Sequence, residues 1–383
     1  MDIKKVLKEH AYQNIPLWYG QAYELGCYAL RGCTGDTLAM LQSVAALSAL
    51  HTRATYAHVG DGVTTPMSAA DQIAGICAAV FEEDIAKSSF GFLRPSVPLV
   101  MDNCGMGGDL VITANVSTIA GFIAAAAGIP MCKHGSPANA DNGRHGSSDF
   151  VAMCGINPYG SRREVETTVQ DHCFGYTEAL DVRFKRIHMQ THKVAYLPHM
   201  NDIIGPITNP VHPSLLRRRV LGVNHLVAPT VVAGAYEILN AKGVTNMEHL
   251  IVARGRISPH SSDGVDEFSL CAGGTEVAEL EDGAIRTYHL EASDFGLTPI
   301  SAEAISPPPG ISKGEFSTRI LFGEEPGPAL QMVLANASML FKLHDMSLSL
   351  PAAYNAARDV FSSGKVADTV HMVSMAVPFR VAA

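Results

Sequence analysis

The sequence has little charge, few aromatic side chains and no closely spaced cysteine pair. Only 17% of its 383 residues are charged while 47% are hydrophobic, a composition that excludes a wholly disordered chain. The 28 basic residues are outnumbered by 37 acidic ones, so the net charge of −9 provides no overall positive field to attract a nucleic acid. The eight cysteines include no Cys-x-x-Cys motif. This argues against a zinc ribbon and favours reduced thiols in a cytoplasmic protein.

Long hydrophobic runs are also missing. The longest apolar run extends from Ile119 to Cys132 and contains Gly128 and Pro130. It is shorter than the roughly 20 residues that a transmembrane helix needs. The opening segment MDIKKVLKEH contains no apolar stretch of signal-peptide length. We therefore expect no membrane partner and no nucleic-acid partner.

Helical spacing dominates about the first 90 residues. Four apolar residues fall on one face of a predicted helix: Met40, Leu41, Val44 and Leu47. A second helix is predicted from Ala69 to Glu83, with Ser68 as its N-cap. The segment 88–98 contains Ser, Gly and Pro, which are typical of a domain junction.

From this junction onward, short apolar strands alternate with helical stretches. The predicted elements are strand Leu99–Met101, helix 116–127, strand Ile129–Cys132, helix Val231–Ala241, strand Leu250–Val252 and a mostly helical region from Glu324 to Thr369. This alternation predicts an α/β fold with a mainly parallel central sheet. We assign residues 1–92 to a small helical domain and 93–383 to a larger α/β domain. A charged helical segment within about 160–195 either covers the sheet or joins the helical domain.

The most informative stretch lies between Asp102 and Asp149. The first strand runs into the turn GMGGD (105–109), and the segment TANVST (113–118) then opens the Ala-rich helix. Glycine allows backbone N–H groups to approach a phosphate, and a helix start adds unpaired donors. Lys133 follows from the next strand and would add a positive charge. The order predicts a phosphate cradle, although the glycines match neither G-x-G-x-x-G nor a P-loop and, taken alone, also fit a simple turn.

A pair of adjacent carboxylates, Asp266 and Glu267, follows much later in the chain. An isolated pair of this kind after a Ser-Asp-Gly turn is most often a solvated loop. A pyrophosphate site, however, needs a divalent cation, and Mg²⁺ is held by one or two carboxylates together with substrate oxygens and water. The cradle and the acidic pair would therefore complete one magnesium-dependent site.

Taken in order, these motifs resemble those of the anthranilate phosphoribosyltransferase family. The matching segments are GMGGD (105–109), TANVST (113–118), KHG (133–135), GSSD (146–149), GPITNP (205–210), DGVDE (263–267), GGTEVAEL (273–280) and DFGL (294–297). The resemblance extends from about residue 98 to the C-terminus. It implies the fold shared with pyrimidine nucleoside phosphorylases, in which a small helical domain faces a larger α/β domain across a cleft.

The resemblance also implies roles for individual residues. Those that would hold phosphoribosyl pyrophosphate are Gly105, Gly108, Asp109, Thr113, Asn115, Ser117, Thr118, Lys133 and Ser147. Magnesium would be held by Ser117, Asp266 and Glu267. The acceptor would be contacted by Gly105, His134, Ser136 and His192. No catalytic acid or base is implied, because positioning and electrostatics carry the family's reaction and Lys133 acts at the phosphates.

The chain departs from the family pattern chiefly on the acceptor side. Ser136 stands where the family has an asparagine that contacts anthranilate, and the loop 138–145 is about two residues longer. An ungapped count places His192 where the family has the arginine that holds the anthranilate carboxylate, which an imidazole cannot grip in the same bidentate way. On the donor side, Met106 and Leu110 make the lip of the cradle bulkier.

Several histidines and basic residues leave alternatives open. His188 and His192 have the i, i+4 spacing of a helical metal site, but a polar face or an acceptor contact is the stronger interpretation. His145 is expected to be solvated, and Arg144 is expected to contact substrate. Arg183, Arg186 or Lys193 would take the acceptor carboxylate if the helix is offset.

The resemblance thus implies a Mg²⁺-dependent enzyme that moves phosphoribose from phosphoribosyl pyrophosphate to a small aromatic or heterocyclic acceptor. It also implies a cytoplasmic homodimer formed through the helical domain. The alternatives are a genuine anthranilate phosphoribosyltransferase, a nucleoside phosphorylase, and a non-enzymatic relative that binds nucleotides or nucleic acid.

Overall fold

The computed structural model describes residues 2–13, 15–56, 65–138, 145–190, 197, 199–260 and 264–379. Its N-terminal part is helical. The helices are α1 (Ile3–Val6), which continues as π-helical turns over Leu7–Tyr12, α2 (Tyr19–Gly32), α3 (Thr37–Tyr56) and α4 (Pro66–Ala79), which continues over Val80–Ile85. None of the helices in these described ranges combines the length and the hydrophobicity needed to span a bilayer.

Two predictions in this helical part are wrong in detail. Helix α4 begins at Pro66 rather than Ala69, because Thr65 is the N-cap and Ser68 is the third helical residue of a capping box. The Thr65 hydroxyl accepts from the Ser68 N–H at 3.1 Å, and the Ser68 hydroxyl accepts from the Thr65 N–H at 3.0 Å. Leu41 is 64% exposed, although Met40, Val44 and Leu47 are buried as the spacing predicts.

The remainder of the chain forms the predicted α/β architecture around one sheet. The strands are β1 (Val100–Gly105), β2 (Met131–Gly135), β3 (Phe174–Glu178), β4 (Leu216–Gly222), β5 (His249–Arg256), β6 (Gly264–Val265), β7 (Thr275–Glu281) and β8 (Ala284–Leu290). The sheet order is β3-β2-β1-β4-β5-β7-β8, with the short β6 beside β5. The first five of these strands are parallel, which confirms the mainly parallel sheet.

Strands β7 and β8, which the alternation does not predict, run antiparallel at one edge. Most of the residues of β8 are at least partly exposed. Its sequence AIRTYHL therefore lacks the continuous apolar run of a buried parallel strand. An edge strand of this type is difficult to recognise from hydrophobicity alone.

Helices cover both faces of the sheet. They are α5 (Val116–Ala126), α6 (Ser147–Met153), α7 (Arg162–His172), α8 (Asn201–Ile207), α9 (Pro229–Ala241), α10 (Lys313–Leu321), α11 (Pro328–His344), α12 (Leu350–Ser362) and α13 (Lys365–Ala376), with short 3₁₀ turns at Arg186–Met189, Ala292–Phe295 and Glu303–Ile305. Side chains of each strand alternate between two cores. Val100 and Leu221 join the core shared with α9 and the N-terminal helices, whereas Met101 and Val220 join the core shared with α5 and α11.

The charged segment after residue 160 divides between these two layers. Helix α7 packs on β3 and α13, and so covers the sheet. The 3₁₀ turn that follows lies against the N-terminal helices, where the Arg186 guanidinium is 2.7 Å from Asp84. Gln190 donates to the Ala29 carbonyl and to the Ser43 hydroxyl. The domain limits of 1–92 and 93–383 stay a prediction.

An ion pair inside the sheet holds β4 to its surroundings. The Arg219 and Asp102 side chains are fully buried, and their charged atoms are 2.6 Å apart. Arg219 also donates to the Ile207 carbonyl at 2.8 Å, to the Pro206 carbonyl and to the Tyr236 hydroxyl. One guanidinium thus connects β1, β4, α8 and α9. Burial of these two charges is tolerated because each has a partner.

We expect Arg219→Met to lower the free energy of unfolding by about 3–5 kcal/mol, because the Asp102 carboxylate would be left buried without its cation. Urea titration followed by circular dichroism measures this loss. The matched control on the same strand is Arg217→Met. Arg217 pairs with the half-exposed Glu248, and breaking that pair should cost less than about 1 kcal/mol. Equal losses in the two variants would contradict the role given to the buried pair.

Candidate functional site

The site lies where the strand order changes direction, between β1 and β4. Gly105 and Gly222 end these two strands and face each other in register. Both are close to Asp266: a Cβ on Gly105 would come within 2.0 Å of the Asp266 carboxylate, and one on Gly222 within 1.5 Å of its carbonyl oxygen. In open α/β sheets, ligands bind at such a switch point beyond the carboxyl ends of the strands. The two glycines therefore make the space in which Asp266 lies.

The glycine turn after β1 wraps around the Asp266 carboxylate. Gly107 and Gly108 have φ angles of +77° and +80°, which favour glycine. The Gly107 N–H donates to Asp266 Oδ2 at 2.6 Å, and the Asp266 N–H donates to Asp109 Oδ1 at 3.0 Å. The cradle predicted from residues 105–109 thus closes on a residue more than 150 positions away.

Helix α5 supplies the second side of the cradle. It begins at Val116, so Ser117 and Thr118 lie in its first turn as predicted. The Ser117 N–H donates to Glu267 Oε1 at 3.2 Å. The hydroxyl of Thr118 is buried and has no hydrogen-bond partner among the described residues. A buried polar atom of this kind indicates a place for a further polar group.

Lys133 reaches the same point from β2. Its side chain is 1% exposed, and its ammonium group donates to the Asn103 carbonyl at 2.7 Å and to the Ser117 hydroxyl at 3.1 Å. Ser117, Asp266 and Glu267 line one small cavity, and Lys133 is joined to it through its bond to Ser117.

Two other residues predicted to bind phosphoribosyl pyrophosphate are buried near α5. Asn115, the residue before the helix, donates from its backbone and side-chain nitrogens to the Ser317 hydroxyl of α10. Thr113 is buried and its hydroxyl donates to the Ala114 carbonyl at 3.2 Å. Both positions would need rearrangement of these bonds to contact a ligand.

The acidic pair is not the solvated loop expected for an isolated Asp-Glu sequence. Asp266 and Glu267 are each 8% exposed. Burial and the neighbouring Asp266 carboxylate raise the pKa of Glu267 to about 8, and the same two causes raise the pKa of Asp109 well above its ordinary value. The raised pKa values thus follow first from the removal of these carboxyl groups from water and second from their closeness to one another.

The residues present fit a magnesium ion. Asp266 and Glu267 offer carboxylate oxygens, and the Ser117 hydroxyl lies beside them. Hard oxygen ligands of this type suit Mg²⁺, and its charge would relieve the repulsion among the three carboxyl groups.

The predicted acceptor residues are spread over different environments. His134 is 1% exposed, its Nδ1 is 2.8 Å from the Thr177 hydroxyl, and its Nε2 is 2.6 Å from the Lys185 amine. Any acceptor contact through this ring would have to replace one of these bonds. Ser136 is partly exposed, and Gly105 lies at the switch point. The assignment of all three to the acceptor stays a prediction.

Other predictions fall outside the described residues. These are His192, Arg144, Lys193 and most of the loop 138–145. The i, i+4 pair of His188 and His192 is therefore not described as a pair, although His188 is buried. His145 is partly buried rather than fully solvated. Arg183 and Arg186 are engaged elsewhere: Arg183 bonds both oxygens of Asp181, and Arg186 pairs with Asp84.

Two buried residues near the site have no counterpart in the sequence predictions. Lys185 donates to the Gly205 carbonyl and the Thr208 hydroxyl, each at 3.0 Å, and burial lowers its pKa to about 7. Glu178 ends β3 and is 1% exposed. The signal available in the sequence is the acidic residue that ends the apolar strand FGYTE, opposite Gly135 in β2.

Comparison with known proteins gives consistent matches. Residues 97–367 match the family described as "Glycosyl transferase family, a/b domain". The anthranilate phosphoribosyltransferase of Halorhodospira halophila is 31% identical over 282 residues, covering 71% of this chain and 74% of that protein. The protein of the same name from Symbiobacterium thermophilum is 30% identical over 275 residues, covering 71% and 75%.

Solved structures agree with these matches. The anthranilate phosphoribosyltransferase of Thermus thermophilus superposes with a TM-score of 0.74 at 25% identity, covering 98% of this chain and 99% of that one. The structure from Saccharomyces cerevisiae in complex with PRPP and Mg has the same TM-score at 20% identity, covering 98% and 97%, which is a likeness of fold.

The raised carboxyl pKa values predict how stability depends on pH and metal. Asp109 and Glu267 bind protons more tightly in the folded than in the unfolded chain. The contribution of Glu267 to stability is therefore full below about pH 4.5 and is lost as the pH rises through about 8, and Asp109 contributes in the same direction. We expect the melting temperature in EDTA to fall between pH 5 and pH 8.5. Mg²⁺ should raise it strongly at pH 8.5 and weakly at pH 5.

The matched pair for this measurement is Glu267→Gln and Glu248→Gln. Glu267→Gln should flatten the pH dependence in EDTA and weaken the response to Mg²⁺. Glu248 pairs with Arg217 at the surface, so its substitution should leave both effects intact. Parallel melting curves for the wild type and Glu267→Gln would contradict the assignment.

Proposed function

The chain belongs to the glycosyl transferase family with the a/b domain, and from that premise we propose that it transfers phosphoribose from phosphoribosyl pyrophosphate to a small aromatic or heterocyclic acceptor, releasing pyrophosphate. One observation carries the proposal. The glycine turn, the first turn of α5 and Lys133 converge on the buried carboxylates Asp266 and Glu267. This combines anion donors and cation ligands in one site, as a magnesium–pyrophosphate substrate requires.

The proposed donor site uses backbone and side-chain groups around this convergence. Its members are Gly105, Gly108, Asp109, Thr113, Asn115, Ser117, Thr118, Lys133 and Ser147. The buried Thr118 hydroxyl and the N–H groups at the start of α5 would face phosphate oxygens. Ser117, Asp266 and Glu267 would hold Mg²⁺, which supplies neutralisation of the charge that develops on the leaving pyrophosphate.

The reaction can proceed by positioning and electrostatic stabilisation. Loss of pyrophosphate from the ribose carbon leaves positive charge on the sugar and negative charge on the leaving group. Lys133 is buried beside Ser117, where it would stabilise that negative charge. An aromatic amine is already nucleophilic, so the acceptor needs orientation more than deprotonation.

We further propose that the chain forms a homodimer through its helical domain in the cytoplasm. Three large apolar side chains on or beside the N-terminal helices are strongly exposed: Trp18 by 70%, Leu38 by 63% and Leu41 by 64%. Such side chains at a surface are typical of a protein interface. All eight cysteines are free thiols, which suits a reducing compartment.

The acceptor side supports an aromatic substrate other than plain anthranilate. A carboxylate on the acceptor needs a cationic partner. Arg183 is bonded to Asp181 and to the Gly160 carbonyl, and Arg186 is bonded to Asp84. Lys185 is fully buried and lies behind His134. Each of these three cations is thus already engaged by other groups of the protein.

We expect Lys133→Met to weaken the binding of phosphoribosyl pyrophosphate by about 1.5–3 kcal/mol. The substitution keeps an apolar stem and removes one charge-assisted hydrogen bond. Calorimetry in the presence of Mg²⁺ measures the change. Lys87→Met is the control, because Lys87 is exposed and pairs with Glu83. Unchanged affinity in Lys133→Met would remove the central element of the donor site.

Anthranilate is expected to be a poor acceptor, with kcat/KM below about 10⁴ M⁻¹s⁻¹, because His192 stands where the resemblance places the arginine that would bind its carboxylate, and the described Arg183 and Arg186 are engaged by Asp181 and Asp84. A panel of aromatic amines and heterocycles, assayed by pyrophosphate release with Mg²⁺, tests the transferase activity and this preference together. Release with another acceptor and not with anthranilate supports both. Efficient turnover of anthranilate contradicts the acceptor argument, and no release with any acceptor contradicts the proposed function.

A further inference from the structure

A chain of hydrogen-bonded hydroxyl groups connects the proposed donor residue Ser147 with the buried carboxyl group of Glu178. Ser147 Oγ is 3.1 Å from the Tyr176 hydroxyl, which is 2.8 Å from Ser148 Oγ. Ser148 Oγ in turn contacts Glu178 Oε2. At the other end of the chain, Ser147 Oγ is 3.3 Å from the Ser136 carbonyl oxygen. Three hydroxyl groups thus stand between a carboxyl group and a carbonyl group.

The number of hydrogens in this chain does not match the number of contacts. Four contacts link the five groups, and each of them needs one hydrogen. A carbonyl and an ionised carboxylate have none to give, so the hydroxyls of Ser147, Ser148 and Tyr176 supply three. The Gly135 carbonyl, 3.5 Å from Ser148 Oγ, is one more acceptor and increases the deficit. A proton on Glu178 provides the missing fourth hydrogen.

We propose that Glu178 is a positioning residue that carries this proton and, through Ser148 and Tyr176, keeps the Ser147 O–H directed outward. In this arrangement Glu178 donates to Ser148, Ser148 to Tyr176 and Tyr176 to Ser147. The Ser147 hydrogen is then available to the Ser136 carbonyl or to an oxygen of an anionic phosphoribosyl donor. The inference rests on the role proposed for Ser147 in donor binding.

The surroundings of Glu178 favour its protonated form. Glu178, Ser148 and Tyr176 are exposed by 1%, 5% and 3%. Burial raises the pKa of Glu178 to about 7, against the opposing effects of the Ser148 hydroxyl, the Leu180 N–H and the charge of Lys185.

The other titratable groups near Glu178 have partners or lie farther along the network. Asp181 is paired with Arg183, and Asp149 accepts from the N–H groups of Ala138 and Gly146. Burial, followed by the negative charge of Glu178, raises the pKa values of Tyr176 and Tyr159, so these phenols stay neutral at the same pH. Lys185, whose pKa is lowered by burial to about 7, also changes charge near neutral pH, but it bonds to His134, Gly205 and Thr208 rather than to this chain of hydroxyl groups. Glu178 is therefore the group within the hydrogen-bonded chain that changes charge near neutral pH.

Loss of the Glu178 proton reverses the direction in which the hydroxyl groups donate their hydrogens. Ser148 then donates to the carboxylate, Tyr176 donates to Ser148, and Ser147 turns its hydrogen to Tyr176. The longest contact, from Ser147 to the Ser136 carbonyl, is the one left without a hydrogen. A lone pair of Ser147 would then face the incoming phosphate oxygens. Affinity for the donor should accordingly decline as the pH rises above the Glu178 pKa.

The substitution Glu178→Gln reproduces the protonated state at every pH. The glutamine amide N–H can donate to Ser148, while its carbonyl oxygen accepts from the Leu180 N–H as Glu178 Oε1 does at 3.0 Å. Calorimetry should give the dissociation constant of magnesium phosphoribosyl pyrophosphate for both proteins between pH 5.5 and 8.5. The ratio of the two constants cancels the titration of the ligand itself, which both proteins share.

We expect the dissociation constant of the wild type, divided by that of Glu178→Gln, to be near one at pH 5.5 and to rise to about ten by pH 8. A ratio that stays constant over this range would overturn the proposal. The conservative variant Tyr176→Phe breaks the chain between the two ends. Tyr176→Phe should bind magnesium phosphoribosyl pyrophosphate more weakly than the wild type. The ratio of its dissociation constant to that of Glu178→Gln should not change with pH.

A measurement without any ligand separates this inference from the proposed function. In Ser147→Ala the remaining contacts, from Tyr176 to Ser148 and from Ser148 to Glu178, need two hydrogens and two hydroxyls supply them. The ¹³C NMR titration midpoint of the Glu178 carboxyl should therefore fall by about one pH unit relative to the wild type. An unchanged midpoint would overturn the relay. A lowered midpoint in a protein that binds no phosphoribosyl pyrophosphate would support the relay and contradict the proposed function.

Discussion

The position of the Asp266 carboxylate between the ends of β1 and β4 is the constraint on which the site depends. Two facing glycines make room for it, the Gly107 N–H binds it, and its own N–H binds Asp109. Because the neighbouring Glu267 holds the first turn of α5, one dipeptide connects the glycine turn, the helix start and two strands of the sheet. The geometry of the cradle and the placement of the cation ligands are therefore a single structural property.

The glycines of a turn and the polar start of a helix are local features, and the sequence predicts them well. The strands that carry them, the first turn of α5 and the mainly parallel sheet follow from short-range patterns of apolar residues. The burial of Asp266 does not follow from such patterns. The sequence Ser-Asp-Gly next to two acidic residues has the composition of a solvated loop, and only the tertiary fold places Asp266 and Glu267 inside.

Buried charge explains the other features that sequence patterns miss. Arg219, Lys185 and Glu178 each occupy a position where an apolar residue is the usual expectation, and each is held by partners from distant segments. The same reasoning applies to Leu41, which fits the helical stripe but stays exposed. Spacing identifies a helix face, while the neighbours available in the fold decide which of its residues are covered.

The separation along the chain between the two halves of the cradle has a consequence for how the protein folds. Hydrogen bonds that define the site join residues 159, 157 and 150 positions apart. Contacts between residues so far apart in the sequence require the closure of a long loop, which costs conformational entropy. They are typical of late events in folding. During synthesis, the glycine turn therefore leaves the ribosome well before Asp266 and Glu267 do. The binding site comes into existence only when the last parallel strand, β5, has joined the sheet and brought the residues that follow it against β1.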